Sequence, residues 1–235
     1  MSDGLYVSMC GAVARSDQLD AIADNLANAQ TPGFRPARPA FEAFLPAGGG
    51  KDKVYAAAVG TGVDLKAGPA ARTGNPLDLY PEDGAFLAVR TATGATAFTR
   101  DGRLTLDAER RLTAGGRLVL STSGDPIAVP PEKTATVGKD GVVRAGDLEL
   151  GELARVKLAG PVDRIGPSLV SPAPGGTATA VAAPLRSGEL EVGSVNALEG
   201  MVELISAQRQ FDSSMQALQT YRQMDQRSTD VGRVR

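Results

Sequence analysis

Acidic residues in close pairs are the first candidates for chemistry in this chain. The pairs are Glu82 with Asp83, Asp101 with Asp107, and Glu189 with Glu191. Glycoside hydrolysis uses two carboxylates that face each other across a cleft, one of them with a raised pKa. These pairs lie in turns and linkers, with no aromatic platform for a sugar nearby. Turn capping and solubility therefore explain them better than catalysis does.

The remaining residue types also point away from an enzyme. A glycine run ending in Lys51 hints at a phosphate-binding loop, but it lacks the Gly-x-x-x-x-Gly-Lys-Ser/Thr spacing. The chain has no histidine, which excludes Ser-His and Cys-His dyads and every metal site that contains histidine. Its single cysteine, Cys10, is predicted to be a small apolar residue of a helix. We therefore predict no catalytic residue, no metal site and no cofactor.

Charge and hydropathy limit the classes of partner. The net charge is −2, so the composition gives no reason to expect nucleic acid or an anionic membrane as a partner. No apolar run approaches the roughly 20 residues that cross a bilayer, so direct membrane insertion is not expected. The N-terminus lacks a basic segment followed by an apolar core, so we expect no cleaved signal peptide.

The longest regular element is a helix predicted from Val195 to about Gln226, with Ser194 or Asn196 as its N-cap. Its apolar positions recur in alternating steps of three and four residues, the 3.5-residue period of a helix that packs along another helix. A helix of that length spans about 48 Å, more than a small domain covers. This seam consists of Met201, Leu204, Ile205, Gln208, Phe211, Met215 and Leu218.

A second amphipathic helix is predicted from about Asp3 or Gly4 to Ala29. Its seam consists of Leu5, Met9, Leu19, Ile22 and Leu26. Two interpretations of the matching helices remain open. They form a hairpin that closes one domain, or they pair between many copies of the chain.

The segment between the helices has a different composition. Residues 35–73 are rich in Pro, Gly and Ala and are interpreted as an irregular arm. Short apolar runs between turn signals follow to about Ala159 and predict a β domain. Residues 166–176 are interpreted as a loop. The predicted fold is mixed α and β, with a β-rich middle domain flanked by terminal amphipathic helices that pair as a coiled-coil layer. The predicted segments are 1–34, 35–73, 74–187 and 188–235.

One segment carries a more specific signal. Residues 25–35 read NLANAQTPGFR, in which a helix ends, the chain turns and an aromatic side chain stands beside a cation. This string resembles the N-terminal signature of the bacterial flagellar rod and hook family. The matching positions are Asn25, Asn28, Thr31, Gly33, Phe34 and Arg35. Residues 193–211 resemble the C-terminal signature of that family, and residues 73–79 and 98–107 resemble parts of its middle domain.

The resemblance implies a structural subunit of the flagellar basal-body rod. Such subunits polymerise through their terminal helices into the axial tube that transmits torque from motor to hook. The implied partners are copies of the chain, other rod and hook subunits, and the flagellar type III export apparatus. The implied location is the periplasm-spanning rod, reached without a cleaved signal peptide.

Alternatives remain within and outside this family. The irregular arm is short for a distal-rod subunit, and the total length is slightly below that of both rod members. The sequence therefore resembles the proximal-rod, F-type branch more than the distal-rod, G-type branch. An alternative of another class is a stand-alone extracellular β domain that binds a ligand on a coiled-coil stalk.

Overall fold

A helix stands at each end of the chain. The computed structural model describes residues 2–44, 55–193 and 195–233. Helix α1 runs over Ser2–Ala27 and helix α2 over Ala197–Arg233. Helix α1 ends two residues earlier than expected, and α2 continues seven residues beyond Gln226. No proline or glycine interrupts α2 between Met201 and Val231, so nothing stops the helix at the predicted position.

Short strands occupy the described chain between the helices. They are β1 Ala37–Phe44, β2 Tyr55–Val63, β3 Ala70–Arg72, β4 Leu79–Pro81, β5 Phe86–Arg90, β6 Thr96–Thr99, β7 Leu104–Leu106, β8 Leu112–Ala114, β9 Arg117–Val119, β10 Ala135–Val137, β11 Val142–Ala145, β12 Leu148–Glu152, β13 Arg155–Ala159, β14 Val162–Gly166, β15 Leu169–Pro172, β16 Thr177–Ala180, β17 Leu185–Ser187 and β18 Glu189–Glu191.

The chain divides into two compact units. The helical unit contains α1, α2 and the two-stranded sheet of β1 and β2. Within it, α1 packs beside α2 and also contacts β1. The predicted mixed α and β class, with a β-rich middle and a helix at each end, is confirmed, and pairing of the helices as a coiled coil stays a prediction.

The β unit comprises residues 28–36 and 63–195, so it is wider than the predicted middle domain. Its largest sheet has nine strands in the order β14-β15-β6-β5-β9-β8-β7, with β13 joining β5 to β16. Strands β10, β11 and β12 form a separate antiparallel sheet. Two small ladders pair β17 with β4 and β18 with β3. The last strands before α2 therefore pair with strands near the start of the β unit.

Strand β5 is the centre of the β unit because both of its faces are covered. Successive side chains of a strand point to opposite faces. Leu87 and Val89 belong to one buried cluster, whereas Phe86 and Ala88 belong to a second cluster on the other face. This arrangement explains why the strand is a continuous apolar run rather than an alternating one.

Two segments differ from their sequence interpretation. The predicted irregular arm contains β1, β2 and β3, in which strand pairing satisfies backbone groups. The predicted loop over 166–176 contains β15, whose Val170 is fully buried and pairs with Phe98 of β6. Two adjacent apolar residues, Leu169 and Val170, are enough to form a short strand between Pro- and Gly-rich flanks.

The start of α2 is fixed by a side chain. The Asn196 Oδ1 atom accepts a hydrogen bond from the backbone N–H of Leu198 at 3.1 Å, and its carbonyl accepts one from Gly200 at 2.9 Å. This is the geometry of an N-cap, so the sequence prediction that Asn196 caps the helix is confirmed. Ser194, the other predicted cap, lies outside the described residues.

The buried core gives a direct test of the β unit. Replacing Leu112, which is fully buried in the larger cluster, by Ala removes a packed side chain and leaves a cavity. We expect Leu112→Ala to lower the free energy of unfolding by about 2–5 kcal/mol. The control Leu148→Ala removes a half-exposed side chain and should cost much less. Denaturant unfolding of both variants checks this, and equal effects would contradict the assignment of the core.

Candidate functional site

The segment with the family-like motif begins with a clamp made by Asn25 within the helical unit. The Asn25 Nδ2 atom donates to the carbonyl oxygen of Ala37, and Asn25 Oδ1 accepts from the Ala37 N–H, both at 2.9 Å. One amide side chain therefore uses its donor and its acceptor on the same backbone residue. This pair joins residues twelve positions apart, across the nine residues that separate α1 from β1.

A tight turn follows α1 in the β unit. The N–H of Thr31 donates to the carbonyl of Asn28 at 2.9 Å, and the N–H of Phe34 donates to the carbonyl of Thr31 at 3.2 Å. Gly33 has a φ of 67°, in the left-handed region that favours glycine. A Cβ atom at Gly33 would lie 2.2 Å from the backbone nitrogen of Asp101, so the turn is pressed against the β6–β7 connection.

The aromatic and the cation of the motif are both buried. Phe34 is fully buried and Arg35 is 1% exposed. The sequence predicts an aromatic side chain beside a cation in this segment. The structure places both side chains inside the β unit. The motif therefore anchors the chain to the β unit rather than offering a surface.

Arg35 reaches a carboxylate far along the chain. Its Nη2 atom lies 2.6 Å from Oε1 of Glu191, which also accepts from the N–H of Gly68 at 2.7 Å. The other carboxylate oxygen, Oε2, accepts a hydrogen bond from Nε of Arg100. Arg35, Arg100 and Glu191 are each no more than 1% exposed, and we call them the buried ionic cluster.

Carbonyl oxygens and aromatic rings complete the surroundings of the two arginines. Arg100 donates from Nη1 to the carbonyl of Ala85 at 2.6 Å and from Nη2 to that of Pro81 at 2.8 Å. Both guanidinium groups lie 5.5–5.6 Å from the ring centre of Phe86, a distance at which cation–π attraction acts. Burial lowers the pKa of the Arg35 guanidinium, and the neighbouring Glu191 carboxylate opposes that shift.

Glu191 is the functional residue that sequence reasoning missed. Its spacing from Glu189 led to an interpretation in terms of turn capping and solubility. In the structure, Glu189 remains partly exposed and pairs with Arg186, whereas Glu191 is the shared partner of two buried arginines. The available signal was on the arginines, because Arg35 directly follows Phe34 and Arg100 lies two residues after Phe98.

The other candidate carboxylates are structural. Asp101 binds Arg103, and Asp107 binds Arg111, through short ion pairs at turns of the β unit. Among the described residues, no group of three or more His, Cys, Asp or Glu side chains is placed to hold a metal ion. Gly48 to Lys51 lie outside the described residues. In the described part of the chain, no helix has the length and apolarity needed to cross a membrane.

The predicted seam of α1 is split between buried and exposed positions. Ile22 is buried, Leu19 and Leu26 are half-buried, and Met9 is exposed. Leu5 lies on α1, but its side chain is outside the described set. Cys10 is a free thiol of intermediate exposure.

The predicted seam of α2 is split in the same way. Leu218 is buried, whereas Leu204, Phe211 and Met215 are half-buried and line the same face. Met201, Ile205 and Gln208 are exposed. The structure thus brings part of the predicted seam into the helical unit and leaves the rest in contact with solvent.

The exposed part of α2 forms a stripe of its own. Leu198, Met201, Val202 and Ile205 follow each other at i, i+3, i+4 and i+7, the spacing of one helix face. Their exposed fractions run from 51% to 72%. At about 100° per residue this stripe points away from the face of Ala207 and Leu218, which is buried. We call it the α2 stripe.

A glycine substitution tests the packing of the turn. In Gly33→Ala, left-handed strain adds to the collision of the new Cβ with the Asp101 backbone, so the β unit must shift. The matched control Gly94→Ala has a similar φ of 84° but open space around the Cβ. Strain alone costs about 1–2 kcal/mol, so we expect Gly33→Ala to lower the free energy of unfolding by clearly more than Gly94→Ala does. Equal losses in thermal or denaturant unfolding would contradict the packing.

Three family models match the chain in the order of the structure. Residues 5–35 match "Flagella basal body rod protein", which covers α1 and the turn. Residues 83–145 match "Flagellar hook protein FlgE/F/G D1 domain". Residues 186–231 match "Flagellar basal body rod FlgEFG protein C-terminal", which covers Glu191 and most of α2. Each of the three residues of the buried ionic cluster therefore falls in a different matched segment.

Relatives match over nearly the whole chain. Flagellar basal-body rod protein FlgF of Escherichia coli (strain K12) is 33% identical over 236 residues, which cover 93% of each chain. FlgF of Mesorhizobium japonicum is 32% identical over 220 residues, 91% of each chain. Flagellar basal-body rod protein FlgG of Bacillus subtilis is 30% identical over 252 residues, 94% of this chain and 95% of the relative. These matches confirm the resemblance that the terminal motifs predict. The chain belongs to the flagellar basal-body rod protein family, a family of structural proteins and not of enzymes, with the F-type proteins as its first relatives.

Proposed function

We propose that this protein is a structural subunit of the proximal flagellar rod, which polymerises through its terminal helices into the axial tube between motor and hook. The observation that carries the proposal is the match to F-type rod proteins over more than nine-tenths of both chains. The distal rod is the alternative within the family. The alignment to the G-type relative runs over 252 residues and covers 94% of this chain, so it contains more gaps than the F-type alignments of 220 and 236 residues.

The α2 stripe supplies a surface for polymerisation. An apolar face on a helix gains stability when another helix covers it, and the 3.5-residue period of the predicted seam suits such a partner. The face of Leu218 is covered within the helical unit, whereas the α2 stripe is open. In our proposal, the stripe contacts helices of neighbouring subunits, either copies of this chain or other rod and hook proteins.

The geometry of repeated contacts supports a tube. A head-to-tail contact that does not close into a ring generates a helical assembly. Helix α2 has 37 residues, a length of about 55 Å along which such contacts accumulate. The β unit would then decorate and stiffen the outer layer of the tube. Torque transmission depends on stiffness and needs no catalytic group.

The route of assembly is also part of the proposal. We expect the flagellar type III apparatus to export the chain without a cleaved signal peptide to the periplasm-spanning rod. An isolated amphipathic helix is marginally stable until its apolar face is buried, so the terminal helices can order on polymerisation. Helices that order on contact suit an export route that carries unfolded chains.

Mass spectrometry of purified hook–basal bodies tests the location. We expect this chain at a few copies per particle, and we expect no hook in a strain that lacks the gene. A several-fold higher copy number would favour the distal rod. Absence from the particles, together with normal motility of the deletion strain, would reject the rod and favour a β domain on a coiled-coil stalk.

Charged substitutions on α2 test the role of the seam. Leu204→Asp, Leu218→Asp and, on the α2 stripe, Ile205→Asp each place a carboxylate on an apolar face. We expect each variant to lose motility and rod incorporation while the unfolding midpoint of the β unit stays unchanged. Burial of an unpaired charge is unfavourable enough to prevent the helix contact.

The control for these variants is Gln210→Asp, which lies on the exposed polar face of α2, away from both the seam and the α2 stripe. It introduces the same charge and should assemble normally. Normal motility of the Leu204 or Leu218 variant would reject the predicted seam. Normal motility of the Ile205 variant would reject the α2 stripe as a contact surface.

A further inference from the structure

We infer that the buried ionic cluster resists mechanical load within the β unit. In this cluster Glu191 is a positioning residue, which holds the segment that follows α1 and the segment that precedes α2. The inference rests on the proposed rod function, because it assigns the cluster a role under torque. It concerns residues of the β unit alone.

The three members of the cluster come from three separate stretches of chain. Arg35 follows the turn after α1, Arg100 follows β6, and Glu191 ends β18, six residues before α2 begins. Since the backbone is continuous, force applied to α1 enters the β unit at residue 28 and force applied to α2 enters it at residue 195. The first entry point lies seven residues before Arg35, and the second lies four residues after Glu191.

Backbone contacts bring the two lead segments together at the same place. The N–H of Gly33 donates to the carbonyl of Glu191 at 3.3 Å, and the N–H of Val192 donates to the carbonyl of Pro69 at 2.9 Å. A Cβ atom at Gly193 would lie 2.1 Å from the carbonyl oxygen of Ala29, so these two segments touch main chain to main chain. We call this contact between the two segments the crossing. The Glu191 carboxylate connects it to the β sheet through its hydrogen bond with Arg100, which follows β6.

An ionic cluster suits positioning better than it suits stability. A buried ion pair often contributes no more to the free energy of unfolding than well-packed apolar residues would. The hydrogen bonds of a buried ion pair, however, are directional. A guanidinium donates them along fixed directions, so its partners must lie within a narrow range of positions. Glu191 uses both oxygens, and Arg100 donates to Glu191, Ala85 and Pro81. A lateral shift of the crossing would break several of these bonds together, so the cluster resists sliding.

The test uses full-length variants as the sole copy in cells. Glu191→Gln keeps the shape of the side chain and removes its charge. Arg35→Lys keeps the charge and removes the forked geometry. The matched control is Glu189→Gln, also in β18, whose carboxylate is partly exposed and pairs with Arg186. Circular dichroism of the purified chain, copy number in hook–basal bodies, and retention of flagella in dilute and in viscous medium are measured for each.

We expect both cluster variants to fold and to enter the rod at the wild-type copy number. Cells should then lose flagella several-fold more often in viscous medium than wild type, with little difference in dilute medium, whereas Glu189→Gln should match wild type. If Glu191→Gln fails to fold, the result for Arg35→Lys decides. The inference is overturned if flagella are retained equally under load, if losses are equal in both media, or if neither variant folds. Absence of the wild-type chain from hook–basal bodies would instead reject the proposed function.

Discussion

The positions of the chain segments that meet in the β unit depend on the carboxylate of Glu191. Two guanidinium groups and a backbone N–H share its two oxygens in a site that excludes water. Charges in such a site are costly unless each one has a partner. Because Arg35 and Arg100 come from different parts of the chain, the unit is complete only when residues separated by 156 positions have met. The strands of the β unit are therefore held together by contacts between distant parts of the chain and do not form an independent insert.

The helical unit differs from the β unit in how its apolar surface is covered. The β unit buries two apolar clusters within one chain, whereas α2 covers one apolar face and leaves another open. In the rod that we propose, the β unit would be complete within one chain, and neighbouring subunits would cover the open face of α2.

The sequence predicts the parts of this fold that depend on local pattern. The helices, the N-cap at Asn196 and strands such as β5 follow from periodicity, capping chemistry and apolar runs, which act over a few residues. Strand β15 was missed because Pro and Gly dominate its flanks, and its pairing with β6 comes from residues about 70 positions away. Glu191 was misinterpreted for a similar reason. Its burial is set by two distant arginines, and no pattern around residue 191 itself reports them.

The Asn196 cap also determines the direction in which the α2 stripe faces. A helix advances by about 100° per residue, so the residue at which it starts sets the angle of every later side chain. Asn196 defines this start through its bond to the N–H of Leu198, itself the first member of the stripe. One residue added or deleted between Asn196 and Leu198 would rotate the α2 stripe about the helix axis by more than a quarter of a revolution. In the tube that we propose, the amide of Asn196 would help to set the direction in which α2 meets the helices of neighbouring subunits.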